Sequence, residues 1–338
     1  MRRYGFAMLA LAVTPLLATA ALAADLSGAG GTAIYPVLAK WAEQYKTATG
    51  TAINYQAIGS GGGIAQIKAK TVDFANSDKP LTSKELADAG LIQFPALIIS
   101  ITPVVNLPGV KPGELVFDGK TLADVFIGKV TQWDDPEITK LNPNTKLPHL
   151  AITTVHRSDG SGTTFNFTNY LGKVSPEWQQ KVGADVSVEW PNGVGGKGNA
   201  GVAASVQQVS GTIGYVEYAY VKQNNMTYTK MVNQAGKTLE PNMEAFQAAA
   251  ANADFSKVED FYLILTDQPG AQSWPITAAT YMLLRRDAPA SKNGEVLKFM
   301  TWAMTEGQDQ AKALDYVPLP DSVVKQIKDA WRKEQLAG

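Results

Sequence analysis

The sequence predicts an α/β protein built as two lobes with a cleft between them. Three observations carry that expectation. Strand-like and helix-like stretches alternate as far as residue 105, the pattern of a largely parallel sheet with helices on its faces. Turn signals then multiply from "NLPGVKPGE" (106–114) onward, which marks passage into a second unit. The chain has 338 residues, and at about 100–200 residues per domain that length implies two units.

The elements are expected in this order. Arg2 and Arg3, an apolar stretch from Phe6 to Leu17 and "ALA" at 21–23 make an export signal, residues 1–23, cleaved after Ala23. A membrane anchor would need about 20 apolar residues, and Pro15 interrupts a shorter run. "YPVLAKWAEQY" (35–45) spaces Val37, Leu38, Trp41 and Tyr45 as a helix does, with Pro36 in its first turn. "AINYQAI" (52–58) reads as a strand, and glycines 61–63 open a short helix, "IAQIKAK". "VDFANS" (72–77) is a strand. Thr82 and Glu85 form a capping box for a helix that stops at Gly90. "ALIISITPVV" (96–105) is a buried strand. In the second unit, "TLADVF" is a helix capped by Thr121 and closed by Gly128. "AITTVHR" (151–157) is a strand, "TFNFTNYL" (164–171) a helix and "GTIGYVEYAYV" (211–221) a strand. "PITAATYMLLRR", near 275, returns as a strand to the first unit, which helices around 293–304 and 321–334 complete. The expected division is therefore 24–105 with 277–338 as the first lobe and 106–276 as the second.

Composition removes several functions. The chain has no cysteine, so disulfides, thiolate metal sites, cysteine nucleophiles and a lipidated N-terminal cysteine are all excluded. An exported chain without a lipid anchor fits a periplasm. The formal charge is −1, and loss of Arg2 and Arg3 with the leader makes it −3. That argues against non-specific nucleic-acid binding, and it means that any bound anion is held by local donors.

Four small-residue clusters share one layout: "GAGGT" (28–32), "GSGGG" (59–63), "NSD" (76–78) and "DGSGTT" (159–164). Each follows an expected strand, where ligands of open α/β sheets collect. Helix N-termini there offer unpaired N–H groups and about half a positive charge. Thr32, Ser60, Ser161 and Thr163 add hydroxyls. Each cluster alone could be a turn with an N-cap. Together they describe a site for a compact oxyanion. Arg157 would supply the cation, because a guanidinium can donate two parallel bonds to a tetrahedral oxyanion. Asp159 could pair with it and hold its orientation. Asp78 is unusual, since a buried carboxylate repels an anion unless the anion carries a proton to donate. Phosphate near neutral pH keeps a P–OH and sulfate does not, so Asp78 would select between them. The competing reading makes Asp78 an N-cap in "SDKP".

Other motifs do not develop. "GKGNAG" (196–201) has dinucleotide-site spacing but follows a poor strand, "EWPNGVG". "GKT" (119–121) would need a glycine where Glu114 stands. Ser161 near His156 raises a serine hydrolase or phosphatase, but Asp159 replaces the glycine of a nucleophile elbow. His149 and His156 are the only histidines, too few for a histidine-rich metal site. "WDDPE" (133–137) reads as a turn and helix start.

"SGAGGT", "YQAIGSGGGIAQIKAKTVDFANSDKPLT", "LVFDGKTLADVFIGKVTQWDDPEI", "RSDGSGTTF", "GGKGN", "GTIGYVEYAYVKQNN" and "LPDSVV" together resemble the periplasmic phosphate-binding proteins of ABC-type phosphate uptake systems. The resemblance covers nearly the whole chain after the leader. It implies a type II periplasmic-binding-protein fold, two α/β lobes joined by a two-strand hinge and closing on one phosphate. It implies delivery of inorganic phosphate to the transmembrane permease subunits of an ABC transporter by a monomer, with no catalysis, cofactor or metal. It assigns phosphate binding to Thr32, Ala33, Ser60, Asp78, Arg157, Ser161, Gly162 and Thr163, and orientation of the arginine to Asp159. One position departs: the family often carries phenylalanine where this chain has Ala33. The backbone N–H is retained there, but the aromatic wall is not. Sulfate and molybdate disagree with Asp78, whereas arsenate, protonated like phosphate, fits equally.

Overall fold

The structure, a computed structural model, describes residues 25–336; the expected leader, residues 1–23, lies outside them. Strand β1 (Leu26–Gly30) leads to α1 (Tyr35–Thr49), which has Pro36 in its first turn and left-handed Gly50 at its end. β2 (Ile53–Ala57) feeds α2 (Ser60–Lys68), which already begins at Ser60 and so takes the glycine run into its first turn. β3 (Phe74–Ser77) precedes α3 (Ser83–Ala89). The predicted box is present: Glu85 N–H donates to Thr82 Oγ1 at 3.2 Å, and Thr82 N–H donates to Glu85 Oε2 at 2.7 Å. Gly90 closes the helix in the left-handed conformation.

β4 (Leu91–Asn106) is 16 residues long, and all but its last residue are buried. It reads as an unbroken apolar run because both of its faces are covered. β5 (Val116–Phe117) and α4 (Gly119–Ile127) follow. Here the expected cap is wrong. Asp118 caps α4, and Thr121 supplies the N–H it accepts, at 2.7 Å. The cap lies three residues upstream of its donor, which is the ordinary geometry of a capping side chain. α5 (Pro136–Leu141), capped by Asp135, confirms "WDDPE" as a helix start. β6 (Thr153–Arg157), α6 (Gly162–Val174), α7 (Pro176–Lys181), β7 (Val194–Gly196) and α8 (Gly198–Gln208) come next.

β8 (Thr212–Glu217) is shorter than expected, since the chain turns into α9 (Tyr218–Gln223). The Glu217 carboxylate accepts the Ala219 N–H at 2.8 Å and starts that helix. The β-forming residues of "YVEYAYV" hid the cap. β9 (Thr227–Tyr228), β10 (Lys230–Val232), β11 (Thr238–Leu239) and α10 (Met243–Ala250) lead through two short turns at Phe255–Lys257 and Glu259–Phe261. The chain ends in β12 (Thr277–Arg285), α11 (Ala290–Thr305), α12 (Gln308–Ala313) and α13 (Asp321–Lys333).

The main sheet runs β2-β1-β3-β12-β4-β8-β6-β7, with β9 on β4. It is mixed, not largely parallel. β1 lies parallel to β2 and β3, and β6 lies parallel to β7 and β8. β12 is antiparallel to β3 and β4, and β4 to β8. A returning strand inserted between β3 and β4 produces the reversal. β4 belongs to both halves: Leu91–Ser100 pair with β12, and Ile101–Asn106 pair with β8. Where the partner changes, Ile101 N–H donates to Ile276 O at 2.9 Å, and Trp274 Nε1–H donates to Ile101 O at 3.0 Å. Two adjacent segments thus join the halves.

The β12–β4 ladder slips at one place. Thr280 pairs with Leu97 and Tyr281 with Pro95, so Ala96 is skipped. Pro95 has no N–H to give the ladder, and bulges settle at such residues. One apolar core runs through both halves. A smaller one, including Ile67, Leu81, Leu86 and Leu283, lies under α2 and α3. No helix among the described residues is long and apolar enough to cross a membrane.

Candidate anion-binding site

All four clusters lie at carboxyl ends of strands: β1, β2, β3 and β6. The halves touch there, and the contacts are close. Gly61 N–H donates to Gly160 O at 2.9 Å. Asn166 Nδ2 donates to Asp78 O at 2.7 Å. A Cβ on Gly162 would sit 2.6 Å from both Asp78 Cβ and Ser60 Oγ, so only glycine permits this approach. Gly59 is held doubly. Its φ is +89°, and a Cβ would come within 2.3 Å of Asp159 Oδ2.

Arg157 ends β6 and is 3% exposed. Its Nε donates to Asp159 Oδ1 at 2.8 Å and its Nη2 to Asp159 Oδ2 at 2.5 Å, a side-on bidentate pair. Nη1 is left at the free edge, 3.4 Å from Thr163 Oγ1. Burial pushes the Asp159 carboxyl up, but the Arg157 hydrogen bonds and charge outweigh it and hold it below the usual carboxylate range. The pair is a fixed, locally neutral unit that presents donors on one side.

Hydroxyls surround that edge. Ser161 caps α6, its Oγ accepting Thr164 N–H at 3.0 Å, which leaves its own O–H to donate. Ser60 Oγ accepts Asp78 N–H at 3.2 Å and Gly162 N–H at 3.1 Å. With both lone pairs engaged, the Ser60 hydroxyl can act only as a donor. The Gly162 N–H therefore already has a partner in Ser60. Thr163 Oγ1 lies 3.4 Å from Asn199 Nδ2 as well.

Thr32 and Ala33 lie just before α1, and both are buried. Tyr220 Oη donates to Thr32 O at 2.8 Å, and Tyr316 Oη donates to Ala33 O at 2.6 Å. In a trans peptide the C=O and the next N–H point in opposite directions. The phenols thus turn the N–H groups of Ala33 and Ile34 away from themselves. Thr32 Oγ1 accepts from Asn199 N–H at 3.1 Å and Asn199 Nδ2 at 2.8 Å.

Asp78 is 1% exposed, and Thr280 Oγ1 donates to its Oδ1 at 2.7 Å. It caps no helix; Thr82 caps α3. The N-cap alternative is removed. Burial pushes the carboxyl from 3.8 up to about 6, against the downward pull of the Thr280 hydroxyl and the Arg157 charge. Glu217 lies deeper, and burial pushes it well above its ordinary value, with Asp78 adding to the rise. Arg157 is bound by Asp159 and its charge reaches Asp78, so the attraction for an anion comes from oriented N–H and O–H dipoles and not from net charge.

The raised Asp78 value has a consequence for stability. As pH rises, the unfolded chain loses this proton first and the folded chain resists. The ionisation penalty is absent below about pH 4 and fully developed above about pH 6. A shift of about two units corresponds to roughly 3 kcal/mol. Ligand-free Asp78→Asn should melt above the parent at pH 8 and match it near pH 4. A gap that stays constant with pH in calorimetric melts would contradict this.

Sequence reasoning missed part of this assembly. "GKGNAG" is not a dinucleotide loop, but it does form a strand–glycine–helix turn. Gly198 N–H donates to Asp159 Oδ1 at 2.9 Å. The signal was the same small-residue layout, discounted because "EWPNGVG" lacked strand formers. Thr280, Tyr220 and Tyr316 carried no local signal at all. His156 stacks on Trp190 at 4.7 Å, and its Nδ1 lies 3.1 Å from Arg157 O. It makes no hydrogen bond to Ser161 among the described residues.

A family model described as the PBP superfamily domain matches residues 17–306. The chain is 53% identical over 322 residues to the phosphate-binding protein PstS of Xylella fastidiosa (strain 9a5c), covering 95% of this chain and 88% of the relative. It is 49% identical over 336 residues to the phosphate-binding protein PstS of Haemophilus influenzae, covering 99% of each. Among solved structures, a putative phosphate ABC transporter substrate-binding protein with bound phosphate from Clostridium perfringens superposes with a TM-score of 0.64 at 19% identity, covering 88% of this chain and 100% of that one. At that identity the superposition speaks for the fold.

Proposed function

The chain belongs to the PstS phosphate-binding proteins of the PBP superfamily, and from that premise we propose how it takes up its ligand. It binds inorganic phosphate for an ABC phosphate transporter and is not an enzyme. Phosphate sits between the halves, with the free edge of Arg157 on one side and Asp78 on the other. The N–H groups of Ala33 and Thr163 and the hydroxyls of Thr32, Ser60, Ser161 and Thr163 complete its shell, with Gly162 lending its close approach. Asp159 orients the arginine. The observation that carries this reading is a buried carboxylate opposite a buried, pre-oriented guanidinium. The pairing suits an anion that both accepts and donates. Calorimetric titration with phosphate, sulfate and arsenate tests it. Phosphate should bind and sulfate should not. Arsenate, being protonated, should compete with phosphate. Equal binding of sulfate and phosphate would overturn the reading.

The chain divides into lobes at 24–105 with 277–338, and 106–276, a division supported by the partner change at Ile101 beside Ile276. The turns at 255–261 lean back on the first lobe through Gln93 Nε2, which donates to Asp260 O at 2.9 Å. The protein works as a periplasmic monomer that hands phosphate to transmembrane permease subunits. The leader and the absence of cysteine support that placement, and the net charge argues against nucleic acid as a partner.

Ligand donors come from both lobes, so phosphate favours the closed arrangement by differential contact. Closure also forms surface contacts such as Lys79 Nζ to Asp185 Oδ1 at 2.8 Å, with the ammonium 5.4 Å from the Phe165 ring centroid. Exposed pairs of this kind contribute at most about 1 kcal/mol, so closure rests on the buried contacts between the halves, such as Asn166 Nδ2 to Asp78 O and Gly162 N–H to Ser60 Oγ, and on the ligand. Small-angle scattering should give a smaller radius of gyration with phosphate than without it. Equal radii would contradict hinge closure.

A further inference from the structure

We propose that Thr280 is a positioning residue for anion specificity: it holds Asp78 as an acceptor-only group toward the ligand. The inference rests on the phosphate-binding reading above. It begins with the direction of the protons. Tyr281 O can only accept, and Asn76 Nδ2 donates to it at 3.0 Å. That contact fixes the Asn76 amide, and the same amino group donates to Thr280 Oγ1 at 2.9 Å. The single Thr280 proton then has its shortest acceptor in Asp78 Oδ1 at 2.7 Å, against 3.2 Å to Asn76 Oδ1. Donation runs one way, from Asn76 through Thr280 to Asp78. A hydrogen bond to an ionised acceptor is stronger than one to a neutral carboxyl, so the Thr280 donation favours the ionised carboxylate, whose Oδ2 accepts no hydrogen bond among the described residues.

The backbone is built for this contact. Thr280 stands opposite the bulge that Ala96 makes in β4, where the pairing of β12 shifts from Leu97 to Pro95 and the local twist increases. Asn76 and Thr280 are fully buried and Asp78 nearly so, so water cannot stand in for the hydroxyl. The other groups facing Asp78 cannot replace it. Arg157 also pulls the Asp78 carboxyl down, but less than Thr280 does. Tyr55 from β2, Tyr220 from α9 and Tyr316 before α13 already donate their hydroxyl protons to Gly31 O, Thr32 O and Ala33 O, and burial pushes Glu217 from β8 well above its ordinary value.

Thr280→Val keeps the shape and removes the donor. Without that donor, Asp78 stays protonated to higher pH, and a protonated carboxyl can donate to sulfate. Competition titrations with phosphate and sulfate between about pH 5 and pH 9 read the effect, because a lost hydrogen bond to a charged group changes binding by about tenfold or more. The expected result is a phosphate-over-sulfate ratio at pH 7 at least about tenfold below the parent's, with the pH at which sulfate begins to compete moved upward. Thr280→Ser, which keeps the donor, should restore the parent profile. Thr280→Ala replaces Val if Val does not fold. Equal weakening of both anions with an unmoved pH profile would show a structural role only and overturn the proposal, as would a serine variant that behaves like valine. A parent with no phosphate preference would overturn the functional reading instead, so the two failures are distinguishable.

Discussion

Arg157→Ala lowers phosphate affinity by at least about a hundredfold, the largest loss expected from any single change in the site. Two effects act together. The ligand loses hydrogen bonds from a charged donor, worth about 1.5–3 kcal/mol. Asp159, left with the Gly198 N–H but no cation and only partly exposed, faces the incoming anion with its charge uncompensated. Breaking a buried pair from one side costs about 3–5 kcal/mol, and part of that appears as lost affinity. Lysine restores little, since a point charge cannot span both Asp159 oxygens and still present a free edge. The second effect can be isolated. Adding Asp159→Asn to Arg157→Ala removes the repulsive charge and should recover roughly tenfold, which is about 1.4 kcal/mol. Calorimetry on both variants measures it. Unchanged phosphate affinity in Arg157→Ala would take the residue out of the site.

Asp78→Asn has the second large effect, on selectivity rather than on phosphate affinity. The carboxylate accepts from a P–OH and repels a fully deprotonated dianion. Asparagine has nearly the same shape but can donate through its amide. Sites built around a ligand's proton reject the analogue lacking it by up to about 10⁴–10⁵. Sulfate binding should therefore become measurable in the variant while phosphate still binds, and the ratio should fall by at least about a hundredfold. Because the Asp78 carboxyl titrates at about 6 in the ligand-free fold, the parent should drift the same way as pH falls through that value. Its carboxyl then gains the proton that asparagine mimics. Competition titrations at neutral pH and fixed ionic strength decide the matter. A ratio equal to the parent's would place the discrimination in another group.

The site was legible where its signals are local. Arg157, Asp159, Ser161, Gly162 and Thr163 lie within seven positions of one another, and glycine-rich turns mark helix starts through backbone geometry alone. The Thr82–Glu85 box and the Gly90 and Gly128 stops were legible for the same reason, since each involves only neighbours along the chain. The Thr121 assignment failed within such a motif, because acceptor and donor share one turn and only Asp118 stands at the capping position. What stayed hidden depends on distant partners. Thr280 meets Asp78 across 202 positions, and Tyr316 meets Ala33 across 283. Nothing near Thr280 distinguishes it from other strand threonines. The mixed sheet was missed for a related reason: strand order follows from where the chain returns, and alternation of local patterns does not encode that.

The insertion of β12 between β3 and β4 also sets a timetable for folding. Asn76 and Thr280 bond across 204 positions, so most of the chain must be made before the first half-sheet can close. Until then β3 and β4 both carry open edges, which could pair with the wrong neighbours. Contacts this remote slow folding, because the entropy of closing long loops is lost before the contacts form. The second half depends on β4 as well, so neither lobe is an independent folding unit. During synthesis the first half-sheet therefore cannot be completed until the last quarter of the chain is made. The same strand order that closes the site thus postpones the native sheet until the chain is almost complete.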